Sequence, residues 1–154
     1  MARTVARTDR VLRAELLEFL RPRHRGILIT TRTDGTPQTS PVTMGVDAEG
    51  RVVVSSYPTR AKVANLRARP TATMTVLSDE WNGPWVQFGG PAQVIDLPDA
   101  LEPLVDYYRA ISGEHDDWDE YRAAMTQQRK CLLRLTIERW GPIATGGFPP
   151  ELAD

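Results

Sequence analysis

Arg60 and Lys62 stand two residues apart in SSYPTRAKVANLRARP, residues 55–70, a run that also carries Arg67 and Arg69. Deep inside a helix, side chains two apart point about 200° away from each other and share no face. In a first turn both reach forward, beside the backbone N–H groups that a helix start leaves unpaired. Ser55 and Ser56 come just before that turn. Two cations, two hydroxyls and free N–H groups make an anion seat, and a phosphate held by charge-assisted hydrogen bonds fits it. The competing reading is a solvated helix face, the usual fate of a charge run. Arg67 and Arg69, at the other end, suit the negative terminus of the helix dipole.

GEHDDWDEYR, residues 113–122, sets one histidine among five acidic groups. The spacing is poor for a metal, with no second histidine near, whereas Asp117 followed three residues later by Glu120 is what a capping box asks for. No metal is expected there. His24, in RPRHRG, reads as an entry-loop residue, and Cys131, in KCLLRLTI, as a buried core thiol. Trp81 and Trp85 flank Asn82, Gly83 and Pro84. Such aromatics serve as core or interface anchors, or as walls for a flat ring. No Ser/His/Asp arrangement stands out, and there is neither a G-x-G-x-x-G nor a Walker-type loop. Catalytic residues therefore stay unassigned, and a cradle without an evident catalyst points to a bound cofactor as the source of the chemistry.

Composition bounds the partners. The chain has 154 residues, 41% of them hydrophobic, which suits a single domain spanning residues 1–154. Nineteen basic and twenty acidic side chains leave a formal charge of -1, so a nonspecific nucleic-acid or membrane binder is disfavoured and any anion preference is local. One cysteine allows no internal disulfide. With no signal-like N-terminus and no apolar run of the ~18 residues a membrane span needs, a cytoplasmic protein with no integral membrane segment is expected.

The elements that must hold the seat follow from periodicity. A helix is expected over residues 9–20, capped by Asp9 and stopped before Pro22. GILITTRTDGTPQTSPVTMGVDAEGRVVVSS reads as three strands, with Asp34-Gly35 as a type I′ hairpin turn. A crossover helix, capped by Thr59, covers about residues 59–69. TATMTVL and WVQFGGPAQVID are further strands, with a bulge or bend at Gly89 and Gly90. A helical pair occupies about residues 98–127, and KCLLRLTIERWG is the last strand. Six strands joined mostly by tight turns favour a small barrel over a doubly wound sheet, so the class is mainly β with α additions.

Three stretches together, GILITTRTDGTPQTSPV, VVVSSYPTRAKVANLRARPTATMTVL and WVQFGGPAQVI, resemble the pyridoxamine-phosphate-oxidase-like split β-barrel flavoproteins over about residues 20–137. Arg60-x-Lys62 with NLRARP, together with ISGEHDDWDEYRAAM, is similar to the actinobacterial branch that binds coenzyme F420, an 8-hydroxy-5-deazaflavin. The resemblance implies a six-stranded split β-barrel and a homodimer with two deazaflavin sites in grooves at the subunit interface. It assigns Thr39, Ser40, Pro41 and Val42 to the strand along the tricyclic ring, and Ser55, Arg60, Lys62 and Asn65, beside Ser56, to the phosphate-holding turn and helix. Gly83, Pro84 and Trp85 border the cofactor; Arg129 and Lys130 approach the other subunit's site. The implied activity is hydride transfer from C5 of the reduced deazaflavin to a small unsaturated or electron-poor acceptor. An FMN oxidoreductase of the same fold and a noncatalytic F420 carrier are the alternatives. No Arg-x-His segment follows the final strand, which disfavours vitamin B6 oxidation.

Overall fold

The computed structural model describes residues 4–153. In chain order the elements are β1 (Arg7–Asp9), α1 (Arg13–Leu20), β2 (Arg25–Thr31), β3 (Pro37–Thr43), β4 (Gly45–Val46), β5 (Val52–Ser56), α2 (Ala61–Ala68) and β6 (Thr71–Leu77). They continue with β7 (Val86–Ile95), α3 (Leu101–Ser112), α4 (Trp118–Gln127), β8 (Cys131–Leu135), β9 (Arg139–Trp140) and β10 (Ile143–Thr145). The main sheet runs β3-β2-β6-β7-β8-β5-β4. Every pairing in it is antiparallel, and the hairpin pairs β2/β3, β4/β5 and β6/β7 are joined by short turns that require it.

The sheet curls because β7 serves both halves: Val86 to Pro91 pair with β6, then Ala92 to Ile95 pair with β8. Gly89 and Gly90 sit just before the changeover, where the sequence leads one to expect a bend. A side chain at Gly90 would drive into the backbone of Thr136, so only glycine lets the chains approach this closely. At the far side β3 and β5 come near each other without pairing, and this gap makes the barrel split.

Two apolar cores hold the curl. Inside it, alternate residues Leu28, Val52, Val54, Met74, Val76, Phe88, Leu133 and Leu135 meet, closed by Leu16 and Leu20 of α1 and by Val63 and Leu66 of α2. Outside, Val53 and Leu132 pack against Leu104, Val105 and Tyr107 of α3 and Tyr121 of α4. Each such side chain, fully buried, is worth about 1.5–3 kcal/mol, so Val63 and Leu66 pin α2 across the barrel mouth. No helix among the described residues is long and apolar enough to cross a membrane.

The structure corrects four local expectations. Asp9 does not cap α1: it lies in β1, paired with Ile143, and Leu12 takes the cap position with its N–H donating to Glu15 Oε1 at 3.3 Å. Thr59 does not cap α2; Arg60 holds the cap position with no side-chain cap bond, its N–H donating to Tyr57 O at 3.0 Å. The hairpin at Asp34-Gly35 forms, but only Gly35 has positive φ (84°), and Asp34 Oδ1 instead accepts from Thr36 N–H (3.0 Å) and Oγ1 (2.6 Å), so the turn is not type I′. The last strand breaks in two, because β8 pairs with the second half of β7 and β9 with the first.

Candidate functional site

The candidate site lies in the split. β3 alternates, with Gln38, Ser40 and Val42 turned inward and Thr39, Pro41 and Thr43 exposed. Opposite, β5 ends in Ser55 and Ser56, and the chain turns through Tyr57 into α2. A groove of about 490 Å³ opens between them, walled by Gln38, Ser40, Ser55, Ser56, Arg60 and Lys62, with Tyr57, Ala61 and Lys130 completing it. Val63 N–H donates to Arg60 O at 3.0 Å, so the N–H groups of Ala61 and Lys62 in the first turn have no helical partner.

Electrostatically the groove is a cation cluster without anions. Arg60, Lys62 and Lys130 form no ion pair among the described residues. Burial, with Arg60 and Lys130 nearby, pushes the Lys62 ammonium below its ordinary pKa of 10.5. The Tyr57 ring takes part of the load: Lys130 Nζ lies 4.0 Å and Arg60 Cζ 5.6 Å from its centroid. Two wall hydroxyls, Ser40 Oγ and Ser56 Oγ, are buried without a hydrogen-bond partner among the described residues. Orphaned hydroxyls are costly unless something else completes them, and a rotation about χ1 redirects a serine hydroxyl. Three cations and the first-turn N–H groups at one cavity suit a phosphate-bearing ligand, with the buried hydroxyls of Ser40 and Ser56 just behind its wall.

Of the residues singled out from sequence, Ser40, Ser55, Ser56, Arg60, Lys62 and Lys130 meet in this groove. Thr39 and Pro41 sit on the opposite face of β3, and Val42 packs against the inner core. Asn65 lies one turn along α2 and is engaged within the fold: its Nδ2 donates to Thr30 Oγ1 (3.1 Å) and its Oδ1 accepts from Arg69 (3.3 Å). Arg129 is exposed with left-handed φ of 53° and does not line the groove. Gly83, Pro84 and Trp85 belong to the β6–β7 turn, where Trp85 bridges Ala144 and Ser78 Oγ donates to Pro84 O. α2 leads into Thr71, whereas Trp85 adjoins the end where Val76 pairs Val86, roughly 17 Å along β6.

Gln38 and Tyr57 were missed. Gln38 is two residues before Ser40 on the same strand, so period-two alternation would have placed it on the groove wall. Tyr57 follows the two serines directly, and an aromatic beside an anion seat is a visible cation platform. The helix α4 cap is as expected, Glu120 N–H donating to Asp117 Oδ1 at 3.1 Å, but His115 rather than Glu120 receives the Asp117 N–H (2.9 Å). His115 sits among the rings of Tyr108, Trp118 and Tyr121.

Comparison with known proteins agrees with this architecture. Conserved hypothetical protein Rv2991 from Mycobacterium tuberculosis is similar in structure with a TM-score of 0.73 and 23% identity, covering 91% of this chain and 89% of that one. A protein described as an F420 reductase is similar at a TM-score of 0.60 and 20% identity, covering 80% of this chain and 94% of that chain. A heme binding protein from Mycobacterium smegmatis matches at a TM-score of 0.63 and 21% identity over 90% of this chain, which spans 56% of that larger one. At these identities the likeness speaks for the fold. The family model for pyridoxamine 5'-phosphate oxidase matches residues 12–144, nearly the whole chain. With its split barrel, its antiparallel order and that match, the chain belongs to the pyridoxamine 5'-phosphate oxidase family of oxidoreductases.

Proposed function

We propose that this protein is a coenzyme F420-dependent reductase that works as a homodimer. The observation that carries the reading is the groove at the start of α2, where Arg60, Lys62 and Lys130 converge without carboxylates beside the orphaned hydroxyls of Ser40 and Ser56. When bound, the deazaflavin supplies the hydride, from C5, to a small electron-poor or unsaturated acceptor. The chain's own part is placement. Arg60, Lys62 and the N–H groups of Ala61 and Lys62 hold the phosphate. Lys130, braced on Tyr57, adds charge at its edge. The backbone of Thr39 to Val42 runs beside the ring, with Ser40 turned toward it. Asn65 acts indirectly, tying α2 to β2 through Thr30.

The homodimer rests on what one protomer lacks. The groove wall is polar, and Gly83, Pro84 and Trp85 lie along the barrel at the far end of β6 and β7. With Trp85 and Trp81 38% and 83% exposed, this turn offers aromatic surface for a second protomer's ring site. Arg129, exposed just before β8, is placed by the same reading at the other subunit's site.

The test is titration of cofactor-free protein with F420 and FMN side by side, followed by a panel of acceptors with whichever binds. F420 binding with turnover is expected. A protein that keeps FMN through dialysis would shift the reading to FMN chemistry. Tight F420 binding without turnover would mark a carrier, and binding of neither would remove the proposal. Sedimentation is expected to give twice the chain mass.

A further inference from the structure

A chain of hydrogen bonds runs from the C-terminal end of α2 into the groove wall. Arg69 donates through Nε to Thr31 O (2.7 Å) and through Nη2 to Asn65 Oδ1 (3.3 Å). Asn65 Nδ2 donates to Thr30 Oγ1 (3.1 Å), and Thr30 Oγ1 donates to Gln38 Oε1 (3.0 Å). Thr30 is 1% exposed and pairs with Gln38 across β2 and β3. The directions are fixed from the two ends, since the Thr30 hydroxyl in the middle can both donate and accept. A guanidinium only donates, so the Asn65 atom facing it is the oxygen. The Asn65 amide nitrogen must then donate to Thr30, whose own hydroxyl hydrogen is left for the next acceptor. At the other end Thr39 O only accepts, so the Gln38 atom facing it at 3.2 Å is Nε2, and Oε1 is left toward Thr30 to accept its hydroxyl hydrogen. Gln38 lines the groove, and the second Nε2 hydrogen has no partner among the described residues.

From this wiring we propose that Gln38 is a specificity residue that donates an amide N–H to a hydrogen-bond acceptor on the edge of the bound redox ring, and that Thr30 is the positioning residue that holds its oxygen side, with Thr39 O fixing which way the amide faces. The inference rests on the functional reading above and deepens it. A free glutamine amide turns over and offers oxygen or nitrogen alike. This one is committed to donating, so the groove selects flat heteroaromatics carrying a carbonyl or anionic acceptor at that edge and rejects analogues that present a donor there.

The experiment measures affinity for F420, FMN and inorganic phosphate, with visible spectra of the bound cofactor, in wild type, Gln38→Leu, Thr30→Val and Thr30→Ser. Gln38→Leu is expected to lose about five- to tenfold in cofactor affinity and to shift the bound absorption maximum, with phosphate affinity unchanged. Thr30→Val should lose less, Thr30→Ser should restore wild-type binding, and Thr30→Val should add nothing in the Gln38→Leu background. Equal cofactor affinity of wild type and Gln38→Leu overturns the inference while the functional reading stands. Loss of phosphate affinity in Gln38→Leu also overturns it, placing Gln38 in the phosphate seat. So does a Thr30→Val effect that persists without Gln38, which marks a packing defect. If wild type binds neither cofactor, the functional reading fails and the inference falls with it.

Discussion

The two ends of helix α2 carry two cations each and are wired in opposite ways. At the C-terminal end Arg67 grips Asp96 with two bonds, 2.6 and 2.9 Å, and Arg69 is spent on Thr31 O and Asn65. At the N-terminal end Arg60 and Lys62 have no acidic partner among the described residues and line a cavity shared with Lys130. The contrast extends to the titrations. The Arg67 guanidinium holds the Asp96 carboxyl below its usual range, whereas burial and like charge push Lys62 down. One end is complete as folded, and the other stores repulsion that an anion would relieve. The four charges thus divide into two engaged within the fold and two without an acidic partner among the described residues.

The contrast can be broken from either end. Lys62→Ala should cost cofactor binding about 1.5–3 kcal/mol, seen in fluorescence titration, because a charged hydrogen bond is lost at a partly dry site. The same substitution should leave the melting temperature unchanged or slightly raised, since it removes a desolvated cation. Arg60→Ala, at an exposed position, should cost about 1 kcal/mol of affinity by the same titration. Arg67→Ala should do the reverse. Its pair with Asp96 is about half exposed, so denaturant melts should register at most about 1 kcal/mol of lost stability, with cofactor affinity intact.

A pH measurement sharpens the comparison further. Lys62 has a folded-state pKa below its unfolded value, so folding is disfavoured where Lys62 must be charged, below the lowered pKa, and stability recovers as pH rises through it toward 10.5. A bound phosphate reverses the shift. Cofactor binding should then take up a fraction of a proton between the lowered pKa and 10.5, visible as a buffer-dependent calorimetric heat that disappears in Lys62→Ala.

Much of this was legible in the chain. All six long strands and the crossover helix follow from β-branched alternation, from glycine and proline punctuation and from the Val63 and Leu66 spacing. The short strands β1 and β10 escaped because they pair with each other across the chain, as Arg7 with Thr145, and local pattern cannot see such partners, while β4 and β9 fall inside stretches read as longer strands. Asp9 has the right side chain for a helix cap, but tertiary pairing took it for a strand. In the site, Arg60 and Lys62 were readable because a helix start announces itself. The place of Gln38 on the wall follows from alternation with Ser40, but its hydrogen bonding does not, since Thr30, Asn65 and Arg69 converge on it only once α2 lies across β2. Trp85 reads as a neighbour of the seat in sequence terms, yet the length of β6 sets it apart within one protomer.

The most direct test is one titration run three ways, with F420 added to cofactor-free wild type, Lys62→Ala and Arg67→Ala under identical salt. If the groove at the head of α2 seats the phosphate, wild type and Arg67→Ala bind alike and Lys62→Ala binds at least tenfold more weakly. Matching affinities for wild type and Lys62→Ala would contradict that placement.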